Sequence, residues 1–262
     1  IRQAMNHTAG LQNVPSEVTL ENCCDWNAVC SAIAASKAAW PAGSKAAYHA
    51  VTYGWILGEL ARRVDRRAFS QILREDVCKP LGVEGLYVGI PDAVESRVAI
   101  LEEANVAPQA PVDGPRPVPD WMWPLPIWMN RPDVRRACVP GSNGIMTARA
   151  IAKHYAALLP GGVGGVELLP AKRVSLATDP KTAAYDKTAQ NPTVWALGYA
   201  LNDGTAALEN KRISAFGHGG YGGSTGFADP GKSFAFAYAK NVYGKEGFVA
   251  PVLEEIRAAL GI

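Results

Sequence analysis

Hydrophobic residues repeat along this chain at two different periods, and the change from one to the other divides it. Through the first part the spacing is helical. Ile1 to Met5 reads as the end of a helix, followed by the polar turn Asn6-His7-Thr8-Ala9-Gly10-Leu11. Asp25 is placed to cap a helix over Trp26 to Ser36, with Trp26, Val29, Cys30 and Ile33 on one face. Pro41-Ala42-Gly43-Ser44 then breaks the chain. Tyr48 to Val64 carries a strong helical pattern ending in Arg62-Arg63, basic residues that suit a helix C-terminus. Another helix runs from Ala68 to Cys78 and stops at Pro80-Leu81-Gly82, before a short strand at Leu86-Tyr87-Val88. Thr147 caps a predicted helix over Ala148 to Leu159, Gly161 to Gly165 is a flexible turn, and Pro170 opens a further short helix at its first position.

Beyond this the period drops to two. Trp195 to Leu201 and Arg212 to Phe216 read as strands joined by a polar loop. In Ser233 to Asn241 the aromatics Phe234, Phe236 and Tyr238 alternate with alanine, the pattern of a strand. Glu246 to Leu260 is a closing amphipathic helix. Helices first, then antiparallel strands, then a helix make the fold class α+β. The stretch from Phe216 to Pro230 stands at its centre: an apolar lead-in, the cluster Gly217-His218-Gly219-Gly220-Tyr221-Gly222-Gly223, and a second strand. A strand so rich in glycine cannot wall off its edge with side chains, so a ligand can approach its N–H groups.

Composition changes the picture in one place. From Pro108 to Pro140 the chain holds nine of its 19 prolines, with Trp121, Trp123 and Trp128. Tryptophans pack, so this reads as an ordered, irregular excursion rather than disorder. Hydrophobic residues make up 48% and the net charge is +2, which implies neither nucleic acid nor a membrane surface as a partner. No apolar run approaches the ~20 residues that span a bilayer. The five cysteines, Cys23, Cys24, Cys30, Cys78 and Cys138, are odd in number and form no Cys-x-x-Cys pair. They read as free thiols of a reducing, intracellular compartment, with no metal site and no cofactor expected.

Three features carry candidate chemistry. Gly222-Gly223-Ser224-Thr225-Gly226 has the Gly-x-Ser-x-Gly form of a nucleophile elbow. That motif needs a helix after it and a histidine later in the chain, yet a strand follows and His218 is the last histidine, so a plain hairpin is expected. Tyr48 stands at the head of its predicted helix, after the Pro-x-Gly break. It reads either as a proton shuttle, if nearby cations lower its pKa, or as an aromatic anchor of the helix. His7 and His154 read as structural, and His218, beside the glycines, as the histidine that faces a ligand.

Asn6-His7-Thr8-Ala9-Gly10-Leu11, Pro41-x-Gly43 with Tyr48, Lys79-Pro80-Leu81-Gly82, Pro140-Gly141-Ser142-Asn143-Gly144 and His218-Gly219-Gly220 follow one another in an order that resembles the serine β-lactamase-related hydrolases. These comprise class C β-lactamases, penicillin-binding-protein relatives and carboxylesterases. The resemblance covers nearly all of the chain and is nearest to the esterase-like members. A similar domain occurs at the C-terminal end of plant and algal atypical kinases, and Cys24-Asp25-Trp26 fits that group. The resemblance implies a β-lactamase/transpeptidase-like fold, an antiparallel sheet flanked by helices beside a helical region, and an ester or amide as substrate. It makes Tyr48 the shuttle tyrosine and His218-Gly219-Gly220 the strand motif. The Tyr221 backbone N–H becomes an oxyanion donor, and Gly219, Gly220 and His49 are placed against the substrate. Ala50 where β-lactamases keep an amide, and His218 where they keep lysine, lean toward esters.

The departure that matters is an absence. None of the 11 lysines has a serine three residues before it, so the family's Ser-x-x-Lys nucleophile motif is not in this chain. In the family it precedes the Asn6-to-Leu11 segment. The expectation is a single domain over 1–262 whose N-terminal part lies upstream of Ile1, within a larger polypeptide or assembly. Two functions follow: part of a serine hydrolase, or a non-catalytic lactamase-like domain used for assembly or binding. Nucleophilic catalysis needs the missing serine. The 262 residues alone are therefore expected to take no stoichiometric label from a fluorophosphonate probe, and labelling of any serine in them, Ser224 included, overturns that expectation.

Overall fold

The computed structural model describes residues 1–104, 114–186, 193–201, 214–244 and 249–262. Arg212 and Ile213 of one predicted strand, the start of the closing helix at Glu246, and the opening of the proline-rich excursion at Pro108 lie outside these residues.

The helical half opens with α1 (Arg2–Met5) and α2 (Trp26–Ala35). Asp25 caps α2, its carboxylate accepting from the N–H groups of Asn27 and Ala28 at 2.9 and 3.0 Å. The next helix, α3, spans Thr52–Asp65 and begins four residues later than predicted. Tyr48 is therefore not at its head. The reason lies in two amides: Tyr48 N–H donates to Asp186 Oδ2 and His49 N–H to His7 Nδ1, so distant side chains hold this segment extended. The third helical run is composite, with α4 (Phe69–Ile72), a π-helical stretch over Leu73–Cys78, and α5 (Lys79–Leu81). Pro80 follows directly on the π-helical stretch, and Gly82 ends the run in the left-handed region, its N–H bonded to the Lys79 carbonyl.

Val29, Ile33, Val51 and Trp55 of this half share one core with Met122, Leu125 and Trp128 of the excursion. The excursion is thus ordered where it is described, through a 3₁₀ turn at Asp120–Met122 and the helices α6 (Leu125–Met129) and α7 (Pro132–Arg136). Two small ladders tie it down. Strand β1 (Leu86–Val88) pairs antiparallel with β3 (Gly144–Met146), and β2 (Glu102–Glu103) pairs in parallel with β9 (Val242–Tyr243). Between them Asn143, buried, donates to the carbonyls of Val134 and Ala137 and so fixes the loop before β3.

The sheet forms the other half. Its strands are β4 (Ala184–Asp186), β5 (Thr193–Trp195), β6 (Phe216–Gly219), β7 (Thr225–Asp229) and β8 (Phe234–Tyr238), antiparallel between neighbours. Single-residue bridges from Trp195 to Ala200 and from Ala200 to Gly217 join the β4–β5 pair to β6. The predicted strand over Trp195 to Leu201 is bent back by Gly198, at φ 100°: Trp195 ends β5, and Ala200 returns to bridge Trp195 and Gly217.

Alternation in β8 now has a physical meaning. Phe234, Phe236 and Tyr238 join Phe227 under the closing helix α10 (Val249–Leu260). The opposite face meets Tyr155 of α8 (Ala148–Ala156) and Val174 of α9 (Ala171–Ala177) through small residues, among them Ala228 and Ala235. Small side chains let α8 approach closely. At Gly226 an added Cβ would lie 2.5 Å from Ile151 and 2.7 Å from Tyr155. Gly226→Val is accordingly expected to lower stability by about 1–3 kcal/mol through overpacking. An unchanged urea midpoint would show that α8 gives way at no cost.

Candidate active site

A cleft of about 1270 Å³ opens between the two halves. One wall is Tyr48, Trp195 and the strand residues His218 to Tyr221, while Trp123, Leu125 and Met129 of the excursion face it. Tyr48 is set by three contacts. Its amide is held by Asp186, its ring stacks on Trp195 with centroids 4.8 Å apart and planes 6° from parallel, and its hydroxyl lies 3.1 Å from His218 Nε2.

Behind this wall the histidines lock one another. His49 Nε2 accepts from Leu11 N–H at 3.1 Å, so Nδ1 carries the proton and donates to the Ala47 carbonyl at 2.7 Å. His49 N–H in turn donates to His7 Nδ1 at 3.1 Å. The His7 ring stacks on Tyr53 at 4.5 Å and meets Trp195 edge-on at 4.4 Å. His49 is therefore buried with both ring nitrogens occupied inside the protein, away from the cleft that Tyr48 and His218 face.

Burial sets the charge state of the site. Desolvation lowers His7 from 6.5 to about 2, with the neighbouring imidazoles of His49 and His218 adding to the effect. His218 is open to the cleft but sits at its bottom, and the surrounding protein lowers its pKa as well, against a smaller opposing effect from the Gly219 backbone. Tyr48 is pushed up to about 12 by burial alone, with no cation lowering it. The phenol and imidazole at the centre are both neutral near pH 7.

The edge of β6 supplies donors. Phe216 and His218 bond to β7, and the amide of Gly217 goes the other way, to the Ala200 carbonyl at 2.9 Å. Continuing that alternation, the N–H groups of Gly219 and Tyr221 point out of the sheet, and neither has a partner among the described residues. Ser224 lies in the hairpin between β6 and β7, its Oγ accepting from Lys240 N–H at 3.1 Å, with a strand and not a helix after it. Tyr48, His218, Gly219, Gly220 and Tyr221 are thus brought to one wall. Trp195 and Asp186, which orient Tyr48, carried no sequence signal beyond an aromatic at a strand end and an acid beside it. Among the described residues no group of three or more His, Cys, Asp or Glu is placed to hold a metal ion.

The family model for beta-lactamase matches residues 1–260. The esterase/beta-lactamase LipL of Mycobacterium tuberculosis is 30% identical over 257 residues, which cover 92% of this chain. The chain spans only 58% of LipL. A penicillin-binding-protein homolog from Caulobacter crescentus superposes with a TM-score of 0.78 at 34% identity, over 92% of this chain and 65% of its own. A family VIII carboxylesterase does so with 0.84 at 31% identity, over 99% and 70%.

The lowered histidines make stability depend on pH in a window of their own. The unfolded chain takes up a proton at each histidine near 6.5, whereas the fold keeps His7 neutral down to about 2 and His154 down to about 4. Their contribution is complete above pH 6.5 and is lost as the pH falls below it. Paired carboxylates such as Glu59, held at about 2, weaken the fold only below about pH 4.5. Between pH 6.5 and 5 His7 alone is expected to cost about 2 kcal/mol, at ~1.4 kcal/mol per pH unit. A urea midpoint equal or higher at pH 5 than at pH 7 would contradict this.

Proposed function

Because the chain belongs to the β-lactamase family, we propose that its cleft is part of a serine hydrolase site that cleaves ester or amide bonds through an acyl-enzyme. The observation that carries the reading is the 3.1 Å contact between Tyr48 Oη and His218 Nε2, beside the amides of Gly219 and Tyr221, which have no partner among the described residues. A carbonyl laid along the β6 edge places its oxygen against the Tyr221 N–H and its leaving group near the Tyr48 hydroxyl. The 262 residues hold no Ser-x-x-Lys, so the reading assigns the nucleophile to polypeptide outside them.

Proton transfer follows from the charge states. With its pKa at about 12, the Tyr48 phenol is an acid in the resting site, suited to give a proton to the departing alkoxide. As the nucleophile's hydroxyl adds to the carbonyl its proton passes to the phenol oxygen while the phenol proton passes to the departing alkoxide, so Tyr48 ends the step protonated. A cation beside it would instead favour the phenolate and a role as base. His218, neutral, orients the phenol through Nε2. A neutral imidazole where β-lactamases keep a lysine gives no charge to a substrate carboxylate, which favours esters over penicillins. His49 then serves behind the wall, holding Leu11 and Ala47 so that Tyr48 keeps its place.

A second reading is a lactamase-like domain that binds or assembles without catalysis, and the residues given, which span 58% of LipL, do not choose between the two. Tyr48→Phe separates the two in the complete protein. The change keeps the ring stacked on Trp195, so the melting temperature should hold, while kcat for an activated ester should fall by about 10²-fold or more, the scale of a lost general acid. Activity at the wild-type level in this variant would end the assignment of Tyr48. Absence of any fluorophosphonate labelling of the complete protein would favour the non-catalytic reading.

A further inference from the structure

Tyr221 is the only residue with a side chain between Gly219 and Gly223. The backbone on either side of it has glycine's freedom, held by Gly220 N–H to the Ser224 carbonyl at 2.7 Å and Gly223 N–H to the Gly220 carbonyl at 3.1 Å. The Tyr221 side chain is the one further anchor the turn has for the direction of that residue's N–H. The surroundings grip it. Its ring meets Trp123 edge-on with centroids 5.6 Å apart, and Tyr243 likewise at 5.6 Å. Tyr243 also supports the turn from beneath: Gly222, at φ 91°, lies so near that an added Cβ would be 2.2 Å from the Tyr243 ring. The remaining hold is polar. The Tyr221 hydroxyl donates to Glu103 Oε1 at 2.7 Å, and Glu103 is brought there by the parallel pairing of β2 with β9.

That bond is costly for what it packs. Among the described residues Glu103 Oε2 is enclosed with no hydrogen-bond partner, an arrangement that loses solvation without return. The ring it secures is 49% exposed, so core burial does not require it. A local cost with no gain in packing is the mark of a position kept for function.

We propose that Glu103 is a positioning residue, which acts through the Tyr221 phenol to aim the Tyr221 backbone N–H at the oxyanion. The inference rests on the hydrolase reading. A donor to the oxyanion matters most in the transition state, so losing its aim lowers kcat and leaves substrate binding nearly unchanged. Tyr221→Phe removes one hydroxyl from a half-exposed ring and keeps the backbone. Glu103→Ala removes the acceptor, and Glu103→Gln retains one.

The test is steady-state hydrolysis of a p-nitrophenyl ester by the complete protein. Tyr221→Phe and Glu103→Ala are each expected to lower kcat by about 10-fold or more, part of the 10²–10³ that removal of a whole oxyanion donor costs. KM should stay within about twofold, Glu103→Gln should recover most of the rate, and the double variant should be no slower than the slower single one. Wild-type kcat in Tyr221→Phe, a loss confined to KM, or losses that multiply in the double variant would overturn the inference alone. Should Glu103→Ala fail to fold, Tyr221→Phe decides it. A complete wild-type protein that neither turns over the ester nor takes a fluorophosphonate overturns the hydrolase reading and this inference with it.

Discussion

Two adjacent backbone amides fix the segment that joins the halves of this molecule, one across to the sheet and one within the helical half. Tyr48 N–H is bound by Asp186, from the sheet, and His49 N–H by His7, from the N-terminal turn. Each bond ties segments far apart in sequence, and each occupies a donor that a helix would otherwise have left at its first turn. The segment stays extended for that reason, and α3 begins only at Thr52. With the backbone so held, the Tyr48 ring is left to stack on Trp195 and present its hydroxyl to His218. The cleft wall follows from these bonds, since without them Tyr48 would travel with the helix.

Much of the architecture was legible because hydrophobic period and capping chemistry are local. Asp25 and Thr147 each accept from the first turn of their helices, and the aromatic–alanine alternation of Phe234 to Tyr238 is the two-faced burial of β8. The missed boundaries are where distant groups overrode local pattern. Nothing near Tyr48 announces Asp186, whose carboxylate comes from 138 residues away. The bend at Gly198 was hidden in an apolar run, and the π-helical turn over Leu73–Cys78 looks, by composition, like any helix. For the site, the glycine cluster named the strand whose edge amides are free. It did not tell that His49, one residue from Tyr48, would face inward with both nitrogens taken.

The phenols and imidazoles around the centre of the cleft are held in their neutral forms. His7, His49 and His218 are all held toward the neutral form, and Tyr48, Tyr53 and Tyr155 are all held protonated, in each case with burial as the largest cause. In such surroundings a hydrogen bond is electrostatically stronger than in water, and the direction of each donor matters more than its charge. A sequence search for paired acids, metal ligands or basic patches passes over a wall of this kind, because the groups it presents are a phenol, an imidazole and bare peptide groups.

The joint between the two parts of the sheet is one residue wide. Ala200 exchanges both of its backbone bonds with Gly217, and along that line the sheet's backbone has no longer ladder among the described residues. On one side of it lie Asp186 and Trp195, which carry Tyr48; on the other lies the strand of His218. Side chains span the same line: the Trp195 indole stacks on Tyr48 with centroids 4.8 Å apart and on His218 with centroids 5.6 Å apart. The spacing of phenol and imidazole is thus set by one indole laid across the joint, a spacer whose thickness is that of an aromatic ring.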